Sequence, residues 1–82
     1  MEPAVLNLTY NGQCGDLPDD VAFDLSTAEI IEMAEEALRA GSFLGIDADE
    51  EATLQGFKVE RYPAKDGTPN RLIARPSVPF GL

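Results

Sequence analysis

Eighty-two residues, 44% hydrophobic and 26% charged, make one domain near the size at which a single core holds without disulfide or metal. Fifteen acids against six bases give a net charge of −9, which disfavours nucleic acid as a partner, since neutralising phosphate needs clustered Lys and Arg. Histidine is absent, and with it the commonest general base and triad partner, so the chain is expected to be no enzyme and to carry no cofactor.

Residues Ala4 to Tyr10 alternate, with Leu6, Leu8 and Tyr10 on one side and Val5, Asn7 and Thr9 on the other, the pattern of a half-buried strand. Asn11-Gly12 is a strong hairpin signal. Gln13 to Asp20 contains two breaker clusters, around Gly15 and Pro18, and is expected to be an irregular loop. Val21, Phe23 and Leu25 alternate again and predict a second strand, antiparallel to the first, running straight into a helix.

That helix is the best-specified element. On a helical wheel, Thr27, Ile31, Met33, Ala34, Ala37, Leu38 and Gly41 fall within about 100° of Ile30. Glu29, Glu32, Glu35, Glu36 and Arg39 fall opposite. Ser26 and Glu29 have capping-box spacing, Leu25 and Ile30 can form the hydrophobic staple, and Gly41 provides a left-handed stop. Two inner alanines predict close approach to a flat sheet.

Phe43, Leu44 and Ile46 then read as a loop turning under the core, and Asp47 as the N-cap of a short helical turn ended by Gly56. Phe57 to Tyr62 predicts a third strand with Phe57, Val59 and Arg61 on one face and Lys58, Glu60 and Tyr62 on the other. Pro63 to Asn70 holds Asp66-Gly67 and two prolines, a turn. Leu72 to Ala74 forms a fourth strand ended by Pro76, and Ser77 to Leu82 an extended tail.

The expected architecture is therefore α+β, ββαββ: one amphipathic helix on a small mixed four-stranded sheet. Over Ala4 to Pro76, this order resembles the ubiquitin-like β-grasp, in which two strand pairs clasp one helix. The resemblance implies a protein-binding module. Modifiers of that kind end in Gly-Gly, whereas this chain ends Pro79-Phe80-Gly81-Leu82. The main rival, a ferredoxin-like arrangement lacking its second helix, requires helical content between Asp47 and Gln55.

Chemistry-bearing motifs are scarce. Counting a calcium loop from Asp47 puts Ala52 at the sixth position and Lys58 at the twelfth, where Gly and Glu are required. Cys14 has no base or cation beside it in sequence and reads as an incidental thiol. Gly12 and Gly15 match no nucleotide-binding spacing.

Charge is divided along the chain: residues 1–56 carry thirteen acids and one base, and residues 57–82 two acids and five bases. Lys58, Arg61, Tyr62, Lys65, Arg71 and Arg75 form a basic hairpin, whose residues protect an edge against strand addition or, with their aromatic, meet a partner. Val78 and Phe80 in the tail either close the core or enter a partner groove.

The candidate partner-binding set is thus Lys58, Arg61, Tyr62, Arg71, Arg75, Val78 and Phe80. The function expected is a non-catalytic, acidic protein–protein interaction module or adaptor. Its alternatives are a ubiquitin-like modifier or carrier with an activated C-terminus, and an acidic decoy of a nucleic-acid-binding site. No apolar run is long enough to span a bilayer and no leader is recognisable. The protein is expected in the cytoplasm, as a monomer or weak homo-oligomer without a membrane partner.

Overall fold

The computed structural model describes residues 2–77. The helix α1 spans Thr27–Ala40 with both caps as its sequence specifies. The Ser26 hydroxyl accepts from the Glu29 amide and the Glu29 carboxylate accepts from the Ser26 amide, each at 3.1 Å. At the other end, Gly41 turns left-handed at φ 75°, its amide reaches Leu38 O, and the Ser42 amide reaches Ala37 O. That pair of bonds is a Schellman motif and satisfies carbonyls the helix leaves open. Ile30, Ala34 and Leu38, one turn apart, are buried on the inner face.

Five strands accompany it among the described residues, one more than the sequence predicts. They are β1 (Pro3–Tyr10), β2 (Gln13–Asp16), β3 (Val21–Ala22), β4 (Phe57–Tyr62) and β5 (Asn70–Pro76). The sheet runs β2-β1-β5-β4 and is mixed, since β1 pairs β5 in parallel while β1–β2 and β4–β5 are antiparallel. Ala4 pairs with both Val21 and Asn70, so β3 lies on the same side of β1 as β2. One helix on a mixed sheet is the α+β arrangement expected.

Two local expectations are corrected. Gln13–Asp16 is a strand instead of a loop, and the second predicted strand shrinks to Val21–Ala22. Asn11 at φ 52° and Gly12 at φ 80° both adopt the positive φ of a two-residue type I′ turn, and Tyr10 faces Gln13 across it. This tight closure brings the chain back onto β1 at once. The Leu17 amide still reaches Leu6 O at 2.9 Å, but Pro18 has no amide to continue the ladder. Pairing resumes only at Val21 and ends with the Phe23 amide on Glu2 O at 2.8 Å, where Ala22 O accepts the Leu25 amide in a turn.

The predicted helical turn after Asp47 is also absent; 47–56 holds only turns, which removes the support the ferredoxin-like rival needed. Its amides find partners elsewhere. Asp49 N bonds Leu38 O at 3.2 Å, and Leu54 N bonds the Glu35 carboxylate at 2.9 Å. Arg39, ion-paired to Glu35 at 2.9 Å, donates to Ala52 O at 3.0 Å. The segment is thereby strapped along α1, with Ala52 and Leu54 buried against the core.

The core lies between α1 and one sheet face. Leu6 and Leu8 of β1, Leu72 and Ala74 of β5, Ile30, Ala34 and Leu38 of α1, and Phe43 and Ile46 from the following loop are all buried there. That loop crosses β2 closely: Leu44 N bonds Asp16 O at 3.0 Å. A Cβ on Gly15 would lie 1.8 Å from Leu44 O, so only glycine fits beneath it.

Candidate functional site

Strand alternation decides what the uncovered sheet face presents. Leu72 and Ala74 point into the core, so Arg71, Ile73 and Arg75 point away from it. Antiparallel pairing sets Lys58 opposite Arg75, Glu60 opposite Ile73 and Tyr62 opposite Arg71. Parallel pairing sets Val5 opposite Arg71 and Asn7 opposite Ile73. The result is a surface centred on half-buried Ile73, with Lys58 toward one end and Tyr62 and Arg71 toward the other. Tyr62 is among the most exposed large apolar side chains of the described residues, at 48%.

Four of the seven predicted site residues, Lys58, Tyr62, Arg71 and Arg75, therefore share this face. Arg61 does not. It belongs to the helix side of β4, where its guanidinium donates to Phe23 O at 3.0 Å and to the Thr27 hydroxyl at 3.4 Å, tying the β4 edge to the entry of α1. Lys65 sits in the hairpin tip between β4 and β5, where it pairs with Thr68 around Asp66-Gly67, a second two-residue turn with both φ positive. Val78 and Phe80 lie outside the described residues.

The electrostatics of the face turn on one carboxylate. Glu60 takes two hydrogen bonds from Arg75, at 2.9 and 2.7 Å, and a third from the Tyr62 hydroxyl at 3.3 Å. The Arg75 guanidinium, with the nearby Lys58 charge as a minor contributor, holds the Glu60 carboxyl below its usual range, and Glu60 in turn raises Arg75. Arg75 is thus neutralised in place. Lys58 and Arg71 have no ion-pair partner among the described residues. The sequence reading passed over Glu60, although the alternation already set it on the face of Lys58 and Tyr62. Missing was the diagonal reach to Arg75, which depends on register.

The β2 end of the face is polar. Asn7, almost fully buried, donates to Asp16 at 2.9 Å and to the exposed Cys14 sulfur at 3.5 Å. These groups satisfy one another, and the thiol gains no cationic neighbour from them.

Elsewhere, a shallow depression of about 290 Å³ is lined by Tyr10, Asn11, Gln13, Asp47, Ala48 and Asp49. Tyr10, Gln13, Asp47 and Asp49 there are paired with one another. The Tyr10 hydroxyl donates to Asp49 at 2.7 Å, which raises its pKa, and Gln13 both donates to the Asp47 carboxylate at 3.3 Å and accepts from the Asp47 amide at 3.2 Å. Among the described residues, no three His, Cys, Asp or Glu side chains are placed to hold a metal ion. No helix of the described residues is long and apolar enough to cross a membrane.

Compared with protein-family models, with curated proteins and with solved structures, the chain gives no match to any of them.

Proposed function

We propose that this chain is a small, acidic, non-catalytic protein-interaction module of ubiquitin-like β-grasp type, which meets its partner with the sheet face opposite α1. The sheet order β2-β1-β5-β4, with parallel central strands and one helix, is compatible with that fold. The observation that carries the function is the gathering of Tyr62, Ile73, Lys58 and Arg71 on one uncovered face, with both cations free of a carboxylate partner among the described residues. Aromatic and arginine side chains around an apolar centre are the composition of interaction hot spots. The acidic helix side sets the sign of the long-range field and biases which proteins approach, adding little to affinity.

The test is a pull-down from the native cell with immobilised protein, at low and moderate salt, beside the Tyr62→Ala and Arg71→Glu variants. Wild type should retain a protein that both variants lose, while the dispersed amide spectrum of each variant stays folded. Capture of nothing at either salt, or of the same proteins by all three baits, would sink the proposal.

A further inference from the structure

The spacing on this face narrows the occupant. Lys58 and Tyr62 are four residues apart on β4, and Arg71 pairs with Tyr62, so the two unpaired cations stand about 13 Å apart along the strand direction. Ile73 lies midway, opposite Glu60, and is partly exposed there. Glu60 accepts its hydrogen bonds from Arg75 and Tyr62, so Lys58 feels its charge only at a distance and neither Lys58 nor Arg71 has an ion-pair partner among the described residues.

Resting on the reading of this face as a docking surface, we infer that its occupant is an extended peptide segment of a partner protein with two carboxylates four residues apart and an apolar residue midway between them. In an extended chain, residues i, i+2 and i+4 share one side and span about 13 Å, the separation of Lys58 and Arg71. The carboxylates meet those two cations, and the central side chain covers Ile73 and the Tyr62 ring. Spacing by three puts the second carboxylate on the far side of the segment.

A nucleic acid strand fits less well. Its phosphates repeat at every residue and would meet Glu60 and Asp16 on the same face, and the remaining acidic chain repels a polyanion at long range. Two discrete carboxylates place charge only where a cation waits.

The experiment is a titration of isotope-labelled protein with two capped nine-residue peptides of identical composition. One has glutamates four residues apart flanking a central phenylalanine; the other has them three apart. The first should shift the amides of residues 58–62 and 71–75 and bind roughly two- to fivefold more tightly than the second, the loss expected when one exposed ion pair is removed. Lys58→Glu and Arg71→Glu should each abolish the preference. Its affinity should vary little with salt, because long-range repulsion and local attraction are screened together.

Equal affinity for the two peptides, shifts confined to other surfaces, or a preference that survives both charge reversals would overturn the inference. So would a ten-nucleotide oligo-dT that binds the same amides more tightly with a steep salt dependence. A partner captured by wild type and lost with Tyr62→Ala, together with failure of the peptides, would leave the docking face standing and remove only the proposed occupant.

Discussion

Gly15→Ala tests the close approach that joins β2 to the loop after α1. The added Cβ would fall 1.8 Å from Leu44 O, 2.9 Å from Leu44 C and 3.3 Å from Ile46 Cγ1. The first two atoms are backbone and cannot rotate aside, so the loop must lift by more than 1 Å to restore ordinary contact. Lifting breaks the 3.0 Å bond from Leu44 N to Asp16 O, a loss of about 1 kcal/mol, and drags buried Phe43 and Ile46 out of register with the core. Overpacking of this kind costs about 1–3 kcal/mol, against which the stiffer unfolded chain returns about 0.5–1 kcal/mol. The net is about 1–3.5 kcal/mol, or roughly 4–28 °C in Tm for a domain of this length.

Thermal and urea unfolding followed by far-ultraviolet circular dichroism measures it, with Cys14→Ser as the control. Cys14 is the adjacent residue, exposed on the opposite face, and serine keeps a donor and acceptor for Asn7 there, so Tm should stay nearly unchanged. A Gly15→Ala protein melting within 3 °C of wild type would show that this loop does not rest on β2 as described.

Two further hydrogen bonds set measurable outcomes. Ser26→Ala removes the acceptor for the Glu29 amide and should destabilise the domain by about 1 kcal/mol in urea titrations, while Ser26→Asp should largely preserve stability. The Glu60 carboxyl titrates below its ordinary value of 4.5 in the folded chain, so its ion pair with Arg75 contributes stability that is fully present above that pH and lost as pH falls through the lowered pKa. The Tm difference between wild type and Glu60→Gln should accordingly be constant from pH 7 to about 5 and shrink on further acidification; a difference independent of pH would refute the pair's role.

Elements whose signals are local were legible in the amino-acid order. The Ser26–Glu29 box, the apolar stripe through Ile30, Ala34 and Leu38, and Gly41 all act within a few residues, and α1 formed between them. Asn11-Gly12 marked a hairpin for the same reason: positive φ at two successive residues is a property of those residues. What the sequence hid was the strand that followed, because Gly15 and Asp16 read as breakers when no partner is in view. In the folded chain Gly15 is required by the Leu44 carbonyl, an atom 29 residues further along. Likewise, acids after Asp47 suggested a helix start, yet Leu38, Glu35 and Arg39 offered those backbone groups partners outside any local helix.

The face was legible only in part. Alternation along β4 separates Lys58 and Tyr62 from Arg61 without any structure, and the structure keeps that division. Sequence alone determined the helix, the two turns, the two-sided character of β4 and the split of charge along the chain, since each depends on residues near in sequence or on composition. Tertiary structure alone decided that β1 and β5, more than 60 residues apart, lie side by side in parallel, that Glu60 reaches Arg75, and that Lys58 and Arg71, about 13 Å apart along the strands, have no ion-pair partner among the described residues. Those outcomes depend on register, and register is set by which buried side chains meet across the sheet, here Leu6 beside Leu72, which no local pattern encodes.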